Sequence, residues 1–298
     1  MARAVEKKSS HRWYRRIALF ALVVVVATGV TAFRQRRAAH ELIVTVFDVG
    51  QGDAVLVELP EGGRWLIDGG PDERVVASLD QRLPWWDRTL TGIILTHPHA
   101  DHVAGLVAVL RRYRVRHVVV PAVSHTTPEY LTFLEEVRSR NLPTTFVSRP
   151  FVWTGGSAAS SWRWEFLHPE RAYDEAVSDL NAASVVSRLV YGEHKFLFMG
   201  DATVEVESLL LKQGRDLRAT VLKVGHHGGD TATSESFLKA VQPTYAAISV
   251  GASNRFGHPA EVILRRLRKN GVMIYRTDEH GDITFRTDGH AIKSSIGR

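Results

Sequence analysis

Within "ILTHPHADHVAGL" (94–106), three imidazoles and a carboxylate fall in six residues: His97, His99, Asp101 and His102. Neutral imidazole and carboxylate are ligands for divalent transition metals. The chain contains no cysteine, so any such site must be built from His and carboxylate alone. A single histidine on a loop reads as solvated, but four donors in this pattern read as a metal centre. The stretch follows an apolar run and precedes a helical pattern, and strand-to-helix corners present side chains at the rim of a sheet. Alternation in an extended segment puts His97, His99 and Asp101 on one side, and Pro98 favours the extended form for His97. Asp101 and His102 begin the helix. Two pairs result, His97 with His99 and Asp101 with His102, aimed at adjacent points where two metals could each take one pair.

A dinuclear site needs further donors, and later strand ends supply them. "FLFMGDAT" ends a strand at Asp201, placed to act as a bridging carboxylate or, in the simpler reading, as a helix N-cap. "LKVGHHGGD" ends another at His226 and His227, and "NRFGHPAEV" a third near His258. "LIDGG" places Asp68 at a strand end, where it could orient a ligating histidine from behind or cap a turn.

These donors must be held by a sheet. From residue 41 the pattern mixes strands and helices. "DAVLVELPEGGRWLIDGG" reads as a hairpin, "ERVVASLDQRL" and "HVAGLVAVLRRY" as amphipathic helices, "LTGIILT" and "RHVVVP" as strands. "PEYLTFLEEVRSR" starts a helix with Pro128 in a favourable first-turn position. The strands "TTFVS", "SWRWEFLHP", "SVVSRLVYG" and "HKFLFMGD" follow. The chain then alternates helix and strand, and "VMIYRT" and "DITFRTDG" close it. Without a repeat or a dividing linker, this predicts an α/β (α+β) layered sandwich covered by helices, one domain over 41–298.

The formal net charge of +6 is unevenly distributed. Residues 1–40 hold nine Lys/Arg and one acid, leaving 29 basic and 31 acidic residues in the remainder, a net of −2. A domain so close to neutral is not expected to bind long duplex DNA tightly by charge alone. The basic clusters "RRYRVRH" and "LRRLRKN" sit at helix ends, where cations are favoured anyway. The N-terminal excess points to a membrane. A basic tail (1–16) precedes the uncharged stretch "IALFALVVVVATGVTAF" (17–33), which arginines flank on both sides. It reads as a transmembrane signal anchor, or as a signal peptide cleaved after Ala32. With more positive charge before than after it, residues 41–298 are expected outside the cytoplasmic membrane of a single-pass protein, or secreted if the segment is cleaved.

The pattern His97, His99, Asp101, His102 resembles the HxHxDH motif of the metallo-β-lactamase superfamily. Within it, the stretches "VFDVGQGDA", "LIDGG", "LTHPHADHVAGL", "FLFMGDA", "LKVGHHG" and "NRFGHP" resemble the C-terminal hydrolase domain of ComEC-type DNA-uptake (competence) proteins. The resemblance implies an αββα metallo-β-lactamase-type sandwich holding two divalent metal ions, zinc or manganese. It implies metal ligation by His97, His99, Asp101, His102, bridging Asp201 and His258, with catalytic roles for Asp101 and for His226 or His227 as ligand or proton donor. Asp53, Asp68 and Asn181 are expected to support the site. Asn181 stands where the superfamily commonly has a histidine, and Asn is a weaker ligand for a transition metal than imidazole. One membrane segment at most cannot form an uptake channel, so a role in transformation does not follow. The expected activity is a phosphodiesterase or nuclease working through a metal-bridging hydroxide, with a phosphodiester, DNA included, as substrate. Hydrolysis of a cell-envelope phosphoester of phosphocholine type is the alternative. β-Lactam hydrolysis and a non-catalytic, metal-containing binding module are the remaining readings. No protein partner can be inferred.

Overall fold

A computed structural model describes residues 16–21, 40–173 and 179–297. The chain separates into two units, Met1–Glu41 and Leu42–Arg298, and the fold belongs to the second. The expected membrane span is corrected. Among the described residues no helix is long and apolar enough to cross a membrane. The single-pass cytoplasmic-membrane assignment is therefore not supported, and residues 22–33 of the expected span lie outside the described residues.

Strands alternate in side-chain direction, and the apolar positions of this chain use both directions. The first sheet comprises β1 (Leu42–Val46), β2 (Val55–Glu58), β3 (Arg64–Ile67), β5 (Gly92–Ile94), β7 (Val118–Pro121), β8 (Thr144–Val147), β16 (Ile283–Thr287) and β17 (Ile292–Ile296), in the order β17-β16-β1-β2-β3-β5-β7-β8. The second comprises β9 (Phe151–Gly155), β10 (Trp162–His168), β11 (Val186–Tyr191), β12 (His194–Phe198), β13 (Val221–Lys223), β14 (Tyr245–Ile248) and β15 (Met273–Arg276), in the order β15-β14-β13-β12-β11-β10-β9. The short strands β4 (Thr89–Leu90) and β6 (Arg114–Val115) pair separately.

Trp65, Ile67, Ile94 and Val119 point inward and meet Trp164, Phe166, Phe196 and Phe198 of the second sheet. Their neighbours Leu66, Ile93, Leu95, Val118 and Val120 point outward. There they pack under α1 (Arg74–Arg82), α2 (Ala100–Arg112) and α3 (Pro128–Ser139). Likewise Leu197, Leu222, Ala246 and Ile248 face outward from the second sheet. They meet α4 (Val204–Lys212), α5 (Glu235–Val241) and α6 (Glu261–Lys269). A period of two thus feeds three apolar layers, and two sheets buried on both faces between helices follow. This is the helix–sheet–sheet–helix sandwich expected from the pattern.

Two strands of the main sheets escaped the sequence reading, as did the two-residue β6. β17 carries only two apolar residues and lies at a sheet edge, where one face suffices. β9 has an alternating Phe-Val-Trp-Thr pattern, but it is short and hidden between Pro150 and Gly155–Gly156. "DITFRTDG" does close the fold, as β16, which pairs antiparallel with β1 and sets Phe285 opposite Val44. β3, β5, β7 and β8 run parallel, as do β12, β13 and β14. Their C-terminal ends gather at one rim of the sandwich, where the candidate ligands are.

Candidate metal centre

Asp68 follows β3 with a positive φ of 58°, a conformation that Asp tolerates better than most residues. Its carboxylate accepts from Thr96 N–H (2.7 Å), Thr96 Oγ1–H (2.7 Å) and His102 Nδ1–H (2.8 Å). Thr96 ends the β5 segment, so one buried carboxylate ties the strand end to the first turn of α2. That helix comes very close. A Cβ on Gly105 would lie 1.9 Å from the carbonyl oxygen of Gly69, so only glycine allows α2 to settle against the Asp68–Gly70 loop. Gly69 N–H donates to His102 O (2.8 Å) and Gly105 N–H to Gly70 O (3.0 Å) across this contact.

The hydrogen bonds decide which ring nitrogens face the site. His102 gives its Nδ1 proton to Asp68, leaving Nε2 directed at Asp201 Oδ1, 3.4 Å away. With its own proton committed to Asp68, Thr96 Oγ1 accepts from His97 Nδ1 (3.1 Å). His97 Nε2 then faces His99 Nδ1 at 2.9 Å and Asp201 Oδ2 at 3.9 Å. His227 donates from Nδ1 to the carbonyl of Ser249 at the end of β14 (3.0 Å). Its Nε2 lies 3.3 Å from Asp101 Oδ2 and 3.4 Å from Asp201 Oδ2. Three imidazoles thus turn the same nitrogen inward because three acceptors stand behind them, which is how metal-ligating histidines are commonly oriented.

Asp201 lies at the centre of this group. It follows β12, and its neighbour Gly200 adopts a φ of 53° where a Cβ would press on Thr96. His226 N–H donates to Gly200 O (3.1 Å), tying the β12 and β13 ends together. His226 and His227 both have positive φ (49° and 51°). This left-handed turn, sparsely populated by non-glycine residues, lets consecutive side chains approach the same carboxylate. His226 Nε2 reaches 3.9 Å from Asp201 Oδ2, and its Nδ1 pairs with Thr231 Oγ1 (2.7 Å).

The electrostatics are those of interlocked carboxylates and imidazoles. Burial would raise the pKa of Asp201, but the charges of His227 and His102 outweigh it and hold the carboxyl well below its ordinary value. Asp101 is lowered in the same way by His102 and His227 against the effect of burial. Burial acts downward on His102 and His227. The surrounding carboxylates, Asp201 foremost, nevertheless raise both well above the usual histidine range. His97 and His99 are pushed down, chiefly by burial. His102 and His227 thus hold a proton more tightly than an ordinary histidine does.

The residues fit divalent cations. His102 Nε2, His227 Nε2 and Asp201 Oδ1 are buried and have no hydrogen-bond partner, a costly arrangement unless a cation satisfies them. Donor atoms of His97, His102 and Asp201 lie within 4.8 Å of one another, as do those of Asp101, His102 and His227. His99 joins the first set through its contact with His97. His258 belongs to no such set. Its ring lies 5.4 Å from that of His226 and 6.4 Å from that of His227. Asn181 is buried beside Asp179, whose carboxylate accepts its backbone N–H (2.9 Å), and its Oδ1 is unpartnered.

Four residues went unread or under-read. Thr96 and Ser249 were missed because a hydroxyl or carbonyl behind a histidine leaves no sequence signature. Lys223 is 3% exposed and donates from Nζ to Asp53 Oδ2 (2.6 Å) and Val224 O (3.0 Å). A lysine inside the apolar run "TVLKVG" was the available signal. Asp53 groups with Asp201 and His227, and also with Asp68 and His102, so it is nearer the centre than a supporting role implied.

Parallel strand ends in an αββα sandwich, carrying a His/Asp cluster around one carboxylate, define the class. The chain belongs to the metallo-β-lactamase superfamily, whose model matches residues 47–252. It is similar to ComE operon protein 3 of Bacillus subtilis, 30% identical over 260 residues, 82% of this chain and 33% of that protein. It is also similar to competence protein ComA of Neisseria gonorrhoeae, 31% identical over 282 residues, 91% of this chain and 36% of that protein. These relatives bear out the resemblance to ComEC-type competence proteins, and the chain spans about a third of their length. Among solved structures, the metallo-β-lactamase fold protein YhfI of Bacillus subtilis matches 83% of this chain and all of its own, with a TM-score of 0.50 at 11% identity. That likeness concerns the fold alone.

Proposed function

We propose that this chain is a two-metal hydrolase that cleaves phosphodiesters. The observation that carries the proposal is the position of Asp201. Its Oδ1 faces His102, while its Oδ2 faces His97 on one side and His227 on the other. A carboxylate with imidazoles of two sets around it is suited to bridging two cations. His97, His99 and Asp201 would hold one, and Asp101, His102, His227 and Asp201 the other. Bound divalent cations would acidify a water and neutralise charge on a scissile phosphoryl group. Asp68, Thr96 and Ser249 keep the three imidazoles in the ligating tautomer. His226, a quarter exposed and beside Asp201, is the group positioned to hand a proton to a leaving oxygen. The relatives' competence names support a nucleic-acid phosphodiester as substrate.

The test uses the full chain, loaded to saturation with zinc or manganese. Bound metal is counted, and a generic phosphodiester, single- and double-stranded DNA and a β-lactam are assayed side by side. Two metals per chain and phosphodiester turnover are expected. His99→Ala and Asp201→Ala should abolish turnover while circular dichroism shows the fold retained. One tightly held metal with no turnover on any substrate would instead indicate a structural metal in a binding module.

A further inference from the structure

The opposite rim of the same strands carries a second cavity, of about 940 Å³, that shares no residue with the metal centre. It opens where β3, β5, β7 and β8 begin, facing β9 and β10. Trp65 and Asp68 mark the two rims on one strand, three residues or about 10 Å apart. The volume lies in the range of small-molecule sites.

Its walls are aromatic by construction. Trp65 sits opposite Gly92 in the sheet register, and Trp162 opposite Gly155. A Cβ at Gly92 would fall 2.3 Å from the Trp65 ring, and one at Gly155 would fall 2.4 Å from the Trp162 ring. Both indoles therefore lie flat over glycines, in space that a side chain there would have taken. Trp153 adds a third indole, 5.3 Å from Trp65, and His117 stands 5.7 Å from Trp153. His117 is held by Thr145 Oγ1 (2.9 Å), and burial lowers its pKa, so at neutral pH it is an uncharged ring. Trp153, Trp162 and His117 remain partly exposed.

The polar groups are few. Thr91, Thr145 and Thr154 belong to the lining, as does Arg116, which is exposed. Glu61 is the one acid in the lining, and it accepts from Ser160 Oγ (2.6 Å). Indole faces stack on any planar π system, threonine hydroxyls read ring edges, and a guanidinium recognises phosphate. Thr91 Oγ1 accepts from Arg64 N–H (2.9 Å) and Thr145 Oγ1 pairs with His117 (2.9 Å), each keeping further hydrogen-bonding capacity, and a quaternary ammonium would meet the charge of Arg116.

We propose that this cavity is a nucleotide-binding site, with the base against Trp153 and Trp162 and the phosphate at Arg116. The chemistry is the same for a free nucleotide and for one unit of a single strand. It does not depend on the hydrolytic reading, because it is measured without metal.

The full chain, stripped of metal, is titrated with AMP while tryptophan fluorescence is followed, with excitation beyond the nucleotide's absorption. Trp85 and Trp86 are exposed outside this cavity, so a response counts for the cavity only where Trp153→Ala weakens it. Saturable quenching by AMP is expected, with none by ribose 5-phosphate. Trp153→Ala should weaken AMP roughly tenfold, the effect of losing one stacking partner. Arg116→Glu, at an exposed position that cannot compromise folding by burial, should weaken AMP about tenfold and leave adenosine unchanged. A six-residue oligo(dA) separates the sources. Binding as tight as AMP assigns the site to a strand, and weaker binding assigns it to the free nucleotide. No saturable response to AMP, an unchanged affinity in Arg116→Glu, or saturation by choline in place of AMP overturns the proposal.

Discussion

Replacing Lys223 with methionine tests how the charge beneath the site is balanced. Lys223 and Asp53 are each 3% exposed, with Nζ and Oδ2 2.6 Å apart. At an effective dielectric of about 20, a pair this close attracts by roughly 6 kcal/mol. Part of that is offset, because the variant no longer buries an ammonium. Removing one partner of a buried pair typically costs about 3–5 kcal/mol, and that loss is expected in urea unfolding of the metal-free chain at pH 7. The pH dependence gives an independent check. In the parent, Lys223 is the leading influence opposing burial, and the Asp53 pKa is depressed. Asp53 is then ionised in both folded and unfolded states between pH 5 and 7 and contributes no slope. In the variant, only His227 and His102 oppose burial, and the folded pKa is expected to rise above the unfolded one. The folded state then binds the extra proton, so the variant gains stability relative to the parent as pH falls. The gap should narrow by up to about 1.4 kcal/mol per pH unit below the new Asp53 pKa. Adding Asp53→Asn to Lys223→Met should recover most of the loss. A single variant within about 1 kcal/mol of the parent at pH 7, or a gap that widens towards pH 5, would refute the reasoning.

Other outcomes follow from the same geometry. His102 and His227 hold a proton more tightly than an ordinary histidine does, so zinc or manganese must displace protons, and apparent affinity should rise with pH through the histidine range. Calorimetry in buffers of different ionisation enthalpy should show net proton release, and its absence would contradict the strengthened hold of His102 and His227 on a proton. Asp68→Asn removes the charge behind His102 Nδ1 and should weaken metal binding about 10–100-fold, measured by competition with a chelator. Gly105→Ala forces a methyl against a backbone oxygen. It should lower stability by at least 1–3 kcal/mol in urea unfolding and weaken metal binding as well, because α2 carries Asp101 and His102.

Much of the architecture was legible because its signals are local. Alternation in "RWLI", "GIILT", "HVVVP" and "HKFLFM" divides inner from outer faces within a few residues. The helix periods of 74–82, 100–112 and 261–269 need only their own turns. Strand ends bearing His or Asp were likewise visible one at a time. β17 and β9 were not, since an edge strand needs little apolar pattern to pair.

The amino-acid sequence by itself determined the donor inventory, the sandwich class and the family. These rest on residue type and short spacing, which survive without coordinates. Only the tertiary structure decided how the donors work together. Asp201 became the centre because β12 ends beside β5 and β13. The inward nitrogen of each histidine was chosen by Thr96, Asp68 and Ser249. The Lys223–Asp53 pair joins residues 170 positions apart, and the tryptophan cavity unites six segments of the two sheets. Chain closure brings such groups together, and no local period records it.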